Sequence, residues 1–155
     1  MIRRREFITL LGGAAAAWPR PAGSQQARVP VIGYLHPESA SENSVQSRAF
    51  RQGLKDVGYV EGDNVTIEHR GADNQLDRLP GLAADLERRR VAVIVAISPA
   101  AAFAAKVTTT TVPIVFVVAG DPVSLGLVSN LARPDGNLTG INMFAYELAT
   151  KRLDS

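Results

Sequence analysis

The 155-residue chain contains no cysteine. This absence excludes disulfides, a thiolate nucleophile, a cysteine metal site and an anchor on a lipidated cysteine. Histidine is scarce too: only His36 and His69 are present, and neither has further ligands at metal spacing, so no metal site is expected. The glycine-rich phosphate loops of nucleotide-binding proteins and the nucleophile elbow of hydrolases are also missing. The sequence therefore predicts no catalytic residues and no cofactor.

The small excess of positive charge lies at one end of the chain. The formal net charge is +2. Residues 1–27, however, carry four arginines against the single acidic residue Glu6. The remainder is therefore close to neutral, which removes the main argument for a nucleic-acid partner.

Residues 1–27 have the pattern of an export signal. A basic head precedes an apolar run from Phe7 to Ala17, which is too short to span a bilayer. Arg4 and Arg5, followed by Phe7, match the twin-arginine type of signal. The alternative, an amphipathic N-terminal helix, fits poorly because the alanines and two prolines that follow form no packed face. We expect the export machinery to deliver a soluble periplasmic protein without a lipid anchor.

Beyond the signal, short apolar runs alternate with helical patterns. The predicted strands are Val31–Leu35, Val65–Glu68, Val91–Ile97, Val112–Val118 and Thr139–Met143. The predicted helices run from about Val45 to Val57 after a Ser39-x-x-Glu42 capping box, from near Asp77, from Pro99 and from Tyr146. This alternation predicts an α/β fold, a doubly wound open parallel sheet of about five strands with helices on both faces.

In such a sheet, ligands bind beyond the carboxyl ends of the strands. Ser98, Pro99 and Ala100 follow a strand there and open a helix, whose free N–H groups and positive dipole end suit a carboxylate. A plain helix N-cap is the alternative interpretation. Asp121 follows the fourth strand, where it either accepts a hydrogen bond from a ligand or caps the turn that begins at Pro122.

The loop after the first strand holds His36 and Glu38 on either side of Pro37. A histidine beside a glutamate is compatible with acid–base chemistry. Because no other catalytic group accompanies them, a recognition role or a merely solvated one is favoured for His36.

A series of short motifs carries a family resemblance. It includes Val31-Ile32-Gly33-Tyr34-Leu35, Phe50-Arg51-Gln52-Gly53-Leu54, Gly58-Tyr59-Val60-Glu61-Gly62-Asp63-Asn64, Pro113-Ile114-Val115-Phe116, Gly120-Asp121-Pro122-Val123 and Asn137-Leu138-Thr139-Gly140. In this order the motifs closely resemble the ABC transporter substrate-binding proteins related to tryptophan- and tyrosine-binding lipoproteins, over about Val29 to Leu153. The resemblance implies the type I periplasmic binding protein fold, in which two α/β lobes close on a small solute. It also implies an ABC permease in the inner membrane as partner.

The resemblance implies the site residues as well. The positions that it places at the solute are His36, Glu38, Ser98, Pro99, Ala100, Asp121 and Asn142. Ser98 stands where the family often has threonine, and serine retains the hydroxyl group of threonine. The expected solute is an amino acid or a related carboxylate. Family members continue through a second lobe, so we expect residues 28–144 to form the N-terminal lobe and residues 145–155 to begin a helix leading to a missing second lobe.

The sequence thus predicts the extracytoplasmic solute-binding component of an ABC importer, and not an enzyme. One alternative is an exported sensory lobe that acts through a partner protein. The other is a flavodoxin-like exported enzyme, which would need a phosphate loop after the first strand. The Pro37-Glu38-Ser39 segment has no glycine and carries an acid, so it suits phosphate poorly.

Overall fold

Five parallel strands form a single sheet in the computed structural model, which describes residues 28–130 and 136–142. In chain order the elements are β1 (Val31–His36), α1 (Val45–Asp56), β2 (Thr66–Gly71), a 3-10 turn (Leu76–Arg78), α2 (Leu79–Arg88), β3 (Val93–Ile97), α3 (Pro99–Thr108), β4 (Ile114–Val118) and β5 (Leu138–Asn142). The strand order is β2-β1-β3-β4-β5, and every pairing is parallel. The predicted α/β fold with its open parallel sheet is confirmed.

Helices cover the sheet from both sides, as the continuous apolar strands require. On one side, here called the α1 face, Tyr34 and Val95 pack with Leu54 of α1. On the other side, the α2/α3 face, Leu35 and Ile94 pack with residues of α2 and α3. Side chains of one strand alternate between the two faces, so the sequence of β1 supplies both cores.

The strand order reverses beside β1. The chain leaves β1 through α1 to pair β2 on one side, and it returns through α2 to pair β3 on the other. Helices therefore depart to opposite faces at the carboxyl ends of β1 and β3, which opens a crevice between them. In open α/β sheets this topological switch point is where ligands bind.

The helix α1 begins at Val45 as predicted, but its N-cap differs from the prediction. Its N-cap is Ser44, whose hydroxyl oxygen accepts a hydrogen bond from the N–H of Ser47 at 3.1 Å. Ser47 in turn donates its hydroxyl to the carbonyl oxygen of Ser41 at 3.1 Å. The predicted capping box of Ser39 and Glu42 is wrong because Ser44 is the N-cap, and residues 39–42 lie in the loop before the helix.

The boundaries of the strands depend more on backbone pairing with neighbouring strands than on the extent of the apolar runs in the sequence. β1 extends through His36 because His36 pairs with Gly71, so His36 belongs to the strand and not to the following loop. Val91 and Val112 lie outside the strands. The N–H of Val91 donates to the carbonyl of Leu86 at the end of α2, and the N–H of Val112 donates to the hydroxyl of Thr109.

Two groups of predictions lie outside the described residues. They are the export signal with Arg4, Arg5 and Phe7, and the helix predicted within residues 145–155. Within residues 28–130 and 136–142, no helix has the length and apolarity needed to cross a membrane.

Candidate functional site

Ser98 joins β3 to α3 at the carboxyl edge of the sheet, and its backbone is strained. Its N–H still donates to the carbonyl of Val117 in β4 at 3.0 Å, while its own carbonyl accepts the N–H of Ala102 in α3. The chain must therefore turn from strand to helix within one residue. Ser98 does so at φ 100° and ψ 158°, a region that normally only glycine occupies. Such strain costs about 1–3 kcal/mol and clusters at ligand-binding sites.

The first turn of α3 has little hydrogen-bonding capacity left. The Ser98 hydroxyl oxygen accepts the N–H of Ala101 at 3.2 Å, so the predicted N-cap is confirmed. Pro99, at the first helical position, has no N–H. In the described part of the chain, the N–H of Ala100 is the donor of this turn that has no acceptor. The Ala100 N–H and the Ser98 O–H can therefore donate together to an anionic group.

His36 lies at the end of β1, on the other side of the switch point. Its side chain is 8% exposed and turns toward the α1 face, where its ring lies 5.5 Å from that of Tyr34. Burial lowers the pKa of His36, and the nearby His69 lowers it further. The imidazole is thus held neutral at pH 7, which suits recognition by hydrogen bonding better than ion pairing.

The loop after β1 is fastened to the turn after β2. The N–H groups of Asp73 and Asn74 donate to the carbonyls of Glu38 and Pro37 at 3.2 and 2.8 Å. Gly71 packs so closely on this loop that a Cβ there would overlap the backbone of Glu38 and Ala40. The Glu38 side chain is exposed on a loop whose backbone is held in place.

Asp121 caps the turn after β4. Its carboxylate accepts the N–H of Val123 at 3.2 Å and the hydroxyl of Ser124 at 2.7 Å. The hydrogen bond from Ser124, above all, holds the pKa of Asp121 below its usual value. The capping role that the sequence left open is therefore observed. The side chain is exposed, and a contact with a ligand stays a prediction.

Asn142 is the last residue of β5 and pairs with Val118, which brings its backbone to the same edge of the sheet. Its side chain lies outside the described part of the structure. The neighbouring strands β1, β3, β4 and β5 thus carry the predicted residues to one edge, with His36 and Ser98 on either side of the switch point.

The position of His69 beside Tyr34 was not predicted from the sequence. The alternation of β2 turns Ile67 and His69 to the α1 face, where the ring of His69 lies 5.2 Å from that of Tyr34. The available signal was the spacing of two residues between the buried Ile67 and His69. Among the residues that the structure describes, no cluster of three or more histidine and acidic side chains could hold a metal ion.

Comparison with known proteins assigns the chain to a class. The sequence model of the family described as ABC transporter substrate binding protein matches residues 28–154. The chain belongs to this family. Proteins of this class bind solutes and are not enzymes, which also argues against the flavodoxin-like alternative.

One curated relative is a tyrosine-binding protein of Clostridioides difficile strain R20291, 36% identical over 93 residues. That match covers 60% of this chain and 27% of the relative, so the chain spans about a quarter of the relative's length.

Solved structures share the fold. A ligand-free, open substrate-binding protein with adhesive properties from Clostridium difficile has a TM-score of 0.66 and 29% identity, covering 74% of this chain and 39% of that one. A conserved domain protein of Vibrio cholerae has a TM-score of 0.68 and 26% identity, covering 79% and 43%. A Streptococcus pneumoniae domain solved with L-Trp has a TM-score of 0.65 at 24% identity, covering 73% and 38%, and it shows the fold alone.

Proposed function

We propose that this chain supplies one wall of the solute-binding cleft of an ABC importer and binds an amino acid or a related carboxylate. The first turn of α3 carries the proposal. Ser98 keeps a strained backbone where glycine would be relaxed, and this conformation presents the Ser98 O–H and the Ala100 N–H at the switch point. Two donors at the positive end of a helix dipole suit a carboxylate.

Neighbouring groups supply the remaining contacts in this proposal. The neutral imidazole of His36 and the exposed carboxylate of Glu38 lie across the switch point from Ser98. Asp121 and Asn142 extend the same edge along β4 and β5. A carboxylate such as Asp121, already ionised at neutral pH, suits the ammonium group of an amino acid.

The name of the tyrosine-binding relative supports an aromatic amino acid as the first candidate solute. We further propose export through the signal of residues 1–27 to the periplasm, and delivery of the solute to an ABC permease in the inner membrane. The family supports the delivery step, and the arrangement of Arg4, Arg5 and Phe7 supports the export step.

The test is an NMR titration of the ¹⁵N-labelled chain with L-tyrosine and with L-tyrosinamide, which lacks the carboxylate. We expect L-tyrosine to shift the amide signals of Ala100 and Ala101 with a dissociation constant of about 1–10 mM, since one wall of a cleft gives weak affinity. L-Tyrosinamide should leave these signals in place.

The N-terminus of α1 is the matched control. It also has a serine N-cap, Ser44, yet the Ser44 O–H already donates to the hydroxyl of Ser47 at 2.9 Å, so this helix start lacks the second donor. The amide of Gln46 should therefore not respond to either compound. Equal shifts at Gln46 and Ala100, or none at Ala100 with any amino acid, would contradict the proposal.

A further inference from the structure

Both histidines of the chain lie in one cluster beneath α1. The ring of Tyr34 lies 5.5 Å from that of His36, 5.2 Å from that of His69 and 5.3 Å from that of Phe50 in α1. His69 pairs directly with Tyr34 across the β1–β2 ladder, and His36 follows Tyr34 two residues later on the same face. We call these three side chains, Tyr34, His36 and His69, the histidine cluster.

The imidazoles of the histidine cluster are shielded but poorly bonded. The Nε2 atom of His36 and both ring nitrogens of His69 are buried, and none finds a hydrogen-bond partner among the residues that the structure describes. A neutral imidazole has one donor and one acceptor to satisfy, whereas a protonated one has two donors and a charge. Protonation therefore adds a buried charge where the described residues offer no acceptor.

Charged groups surround the histidine cluster, and none of those in the described part of the chain forms an ion pair with it. Glu38 and Asp73 face His36 from the loops after β1 and β2, and His69 faces it within the cluster. Glu42 in the loop before α1, Arg51 of α1 and Glu61 in the following turn face His69. Arg51 and Glu61 pair with each other at 2.8 Å, and Asp73 pairs with Arg78 at 3.0 Å.

Burial outweighs the attraction of these carboxylates. It is the largest influence on both imidazoles, and the pKa values of His36 and His69 are both lowered from the usual value. Burial likewise raises the pKa of Tyr34, so the phenol stays neutral. The histidine cluster is thus a neutral contact at pH 7.

The histidine cluster also touches the start of α1. The ring of Tyr34 lies 5.3 Å from that of Phe50 in α1, and Ser47, which is 1% exposed, lies one turn earlier in the same helix. Ser47 holds both the N-cap Ser44 and the carbonyl of Ser41, at 2.9 and 3.1 Å. A shift of the Tyr34 ring would therefore reach the first turn of α1 and the loop of residues 37–44.

We propose that the histidine cluster is an acid-sensitive joint: protonation of His36 and His69 loosens the first half of α1 and the loop of residues 37–44 from β1 and β2. This inference does not depend on solute binding. Its consequence for a solute-binding edge is that the loop holding Glu38 becomes mobile at acid pH while α3 stays in place.

The folded chain becomes less stable as the pH falls, because its histidines bind protons less readily than those of the unfolded chain. The unfolded chain binds a proton to each histidine near pH 6.5, whereas the folded chain binds it only at lower pH. The stabilisation by the neutral imidazoles is complete above about pH 6.5 and is lost as the pH falls from there through the lower folded pKa values.

Two measurements on the 155-residue chain test the proposal. The first is NMR titration of the imidazole C–H signals, which can come from only two residues. Both should titrate below the usual histidine value. The second is amide hydrogen exchange at pH 7.5 and 5.5, corrected for the intrinsic rates. Amides of Arg48 and Phe50 in α1 should open up to about tenfold more at pH 5.5 for each histidine, because that pH lies about one unit below the unfolded pKa, while Ala104 in α3 serves as the reference.

The double variant His36→Gln and His69→Gln should show the same opening of α1 at both pH values. The imidazole titration uses the unmodified chain, so it tests the proposal even where the double variant folds poorly. An imidazole that titrates at or above the usual value would overturn the proposal. So would acid-induced opening of α1 that persists in the double variant, or that α3 shares equally.

Discussion

Gly140 of β5 lies directly against the ring of Phe116 on β4. The two residues are register partners, and a Cβ at position 140 would overlap ring carbons of Phe116. Phe116 is 2% exposed and belongs to the core of the α2/α3 face. The glycine thus lets the outer strand approach a bulky core residue.

We expect Gly140→Ala to lower the free energy of unfolding by about 1–3 kcal/mol, because the added methyl overpacks the Phe116 site. The measurement is urea-induced unfolding followed by circular dichroism. Gly53→Ala in α1 is the control, since a Cβ there meets nothing within 4 Å, and it should raise stability by about 0.5–1 kcal/mol. A stable Gly140→Ala variant would show that β5 does not approach Phe116 in this way.

Ser98 caps α3 and also has a strained backbone. Two substitutions separate the effect of the cap on stability from the effect of the strain. Ser98→Ala removes the cap and keeps the strain, so it should cost about 1 kcal/mol. Ser98→Gly also removes the cap, but it relaxes the backbone at φ 100°. This relaxation should raise the free energy of unfolding by about 1–3 kcal/mol relative to Ser98→Ala. We therefore expect the glycine variant to be more stable than the alanine variant in urea unfolding. The reverse order would mean that Ser98 is not strained.

Asp85 of α2 holds the edge strand β2 through Arg70, whose Nε donates to the carboxylate at 2.9 Å. The bond from Arg70 is the largest cause of the lowered pKa of Asp85. A lowered carboxyl pKa contributes stability that is complete above the unfolded value of 3.8 and is lost as the pH falls below it.

Asp85→Asn should therefore lower stability at pH 7 and flatten its decline below about pH 4. The measurement is thermal unfolding between pH 7 and pH 2.5. Asp63→Asn, in the exposed turn after α1, is the control and should leave the stability at pH 7 unchanged. Identical acid profiles for Asp85→Asn and the unmodified chain would contradict an ion pair between α2 and β2.

The export proposal predicts that Arg4→Lys with Arg5→Lys blocks transport, because a receptor reads the arginine pair and not charge alone. Cell fractionation of a bacterium with a twin-arginine system should then find the chain in the cytoplasm. Arg20→Lys, later in the same segment, is the control and should leave export intact. Normal export of the double variant would show that a pathway other than the twin-arginine one recognises the signal.

Elements with strong local signals were predictable from the sequence. The apolar run of β3 and the Ser98-Pro99 start of α3 carry their information within a few residues, and both formed as expected. The N-cap of α1 was not predictable in the same way. Several serines stand near its start, and the choice of Ser44 depends on bonds that Ser47 makes once the turn has formed.

The candidate site also combines features that depend on local sequence with features that depend on tertiary contacts. The cap at Ser98 and the turn at Asp121 are local, and the sequence indicated each of them as one of two interpretations. The burial of His36 is not local, because it depends on pairing with Gly71 and on contact with Tyr34. The meeting of His36 and His69 required the register between β1 and β2, which no pattern within either strand contains.

The all-parallel sheet has a kinetic consequence. None of the five described strands pairs through a hairpin, so each of their ladders must close over an intervening crossover. Pairing Ile94 with Ile114 encloses about 20 residues, whereas pairing Ile32 with Val93 encloses about 60. We expect the β3–α3–β4 unit to form first, so that Ala96→Gly slows folding while Ile67→Val mainly speeds unfolding. The strained turn at Ser98 would then be made at the earliest stage of folding, before β1 brings His36 to its side.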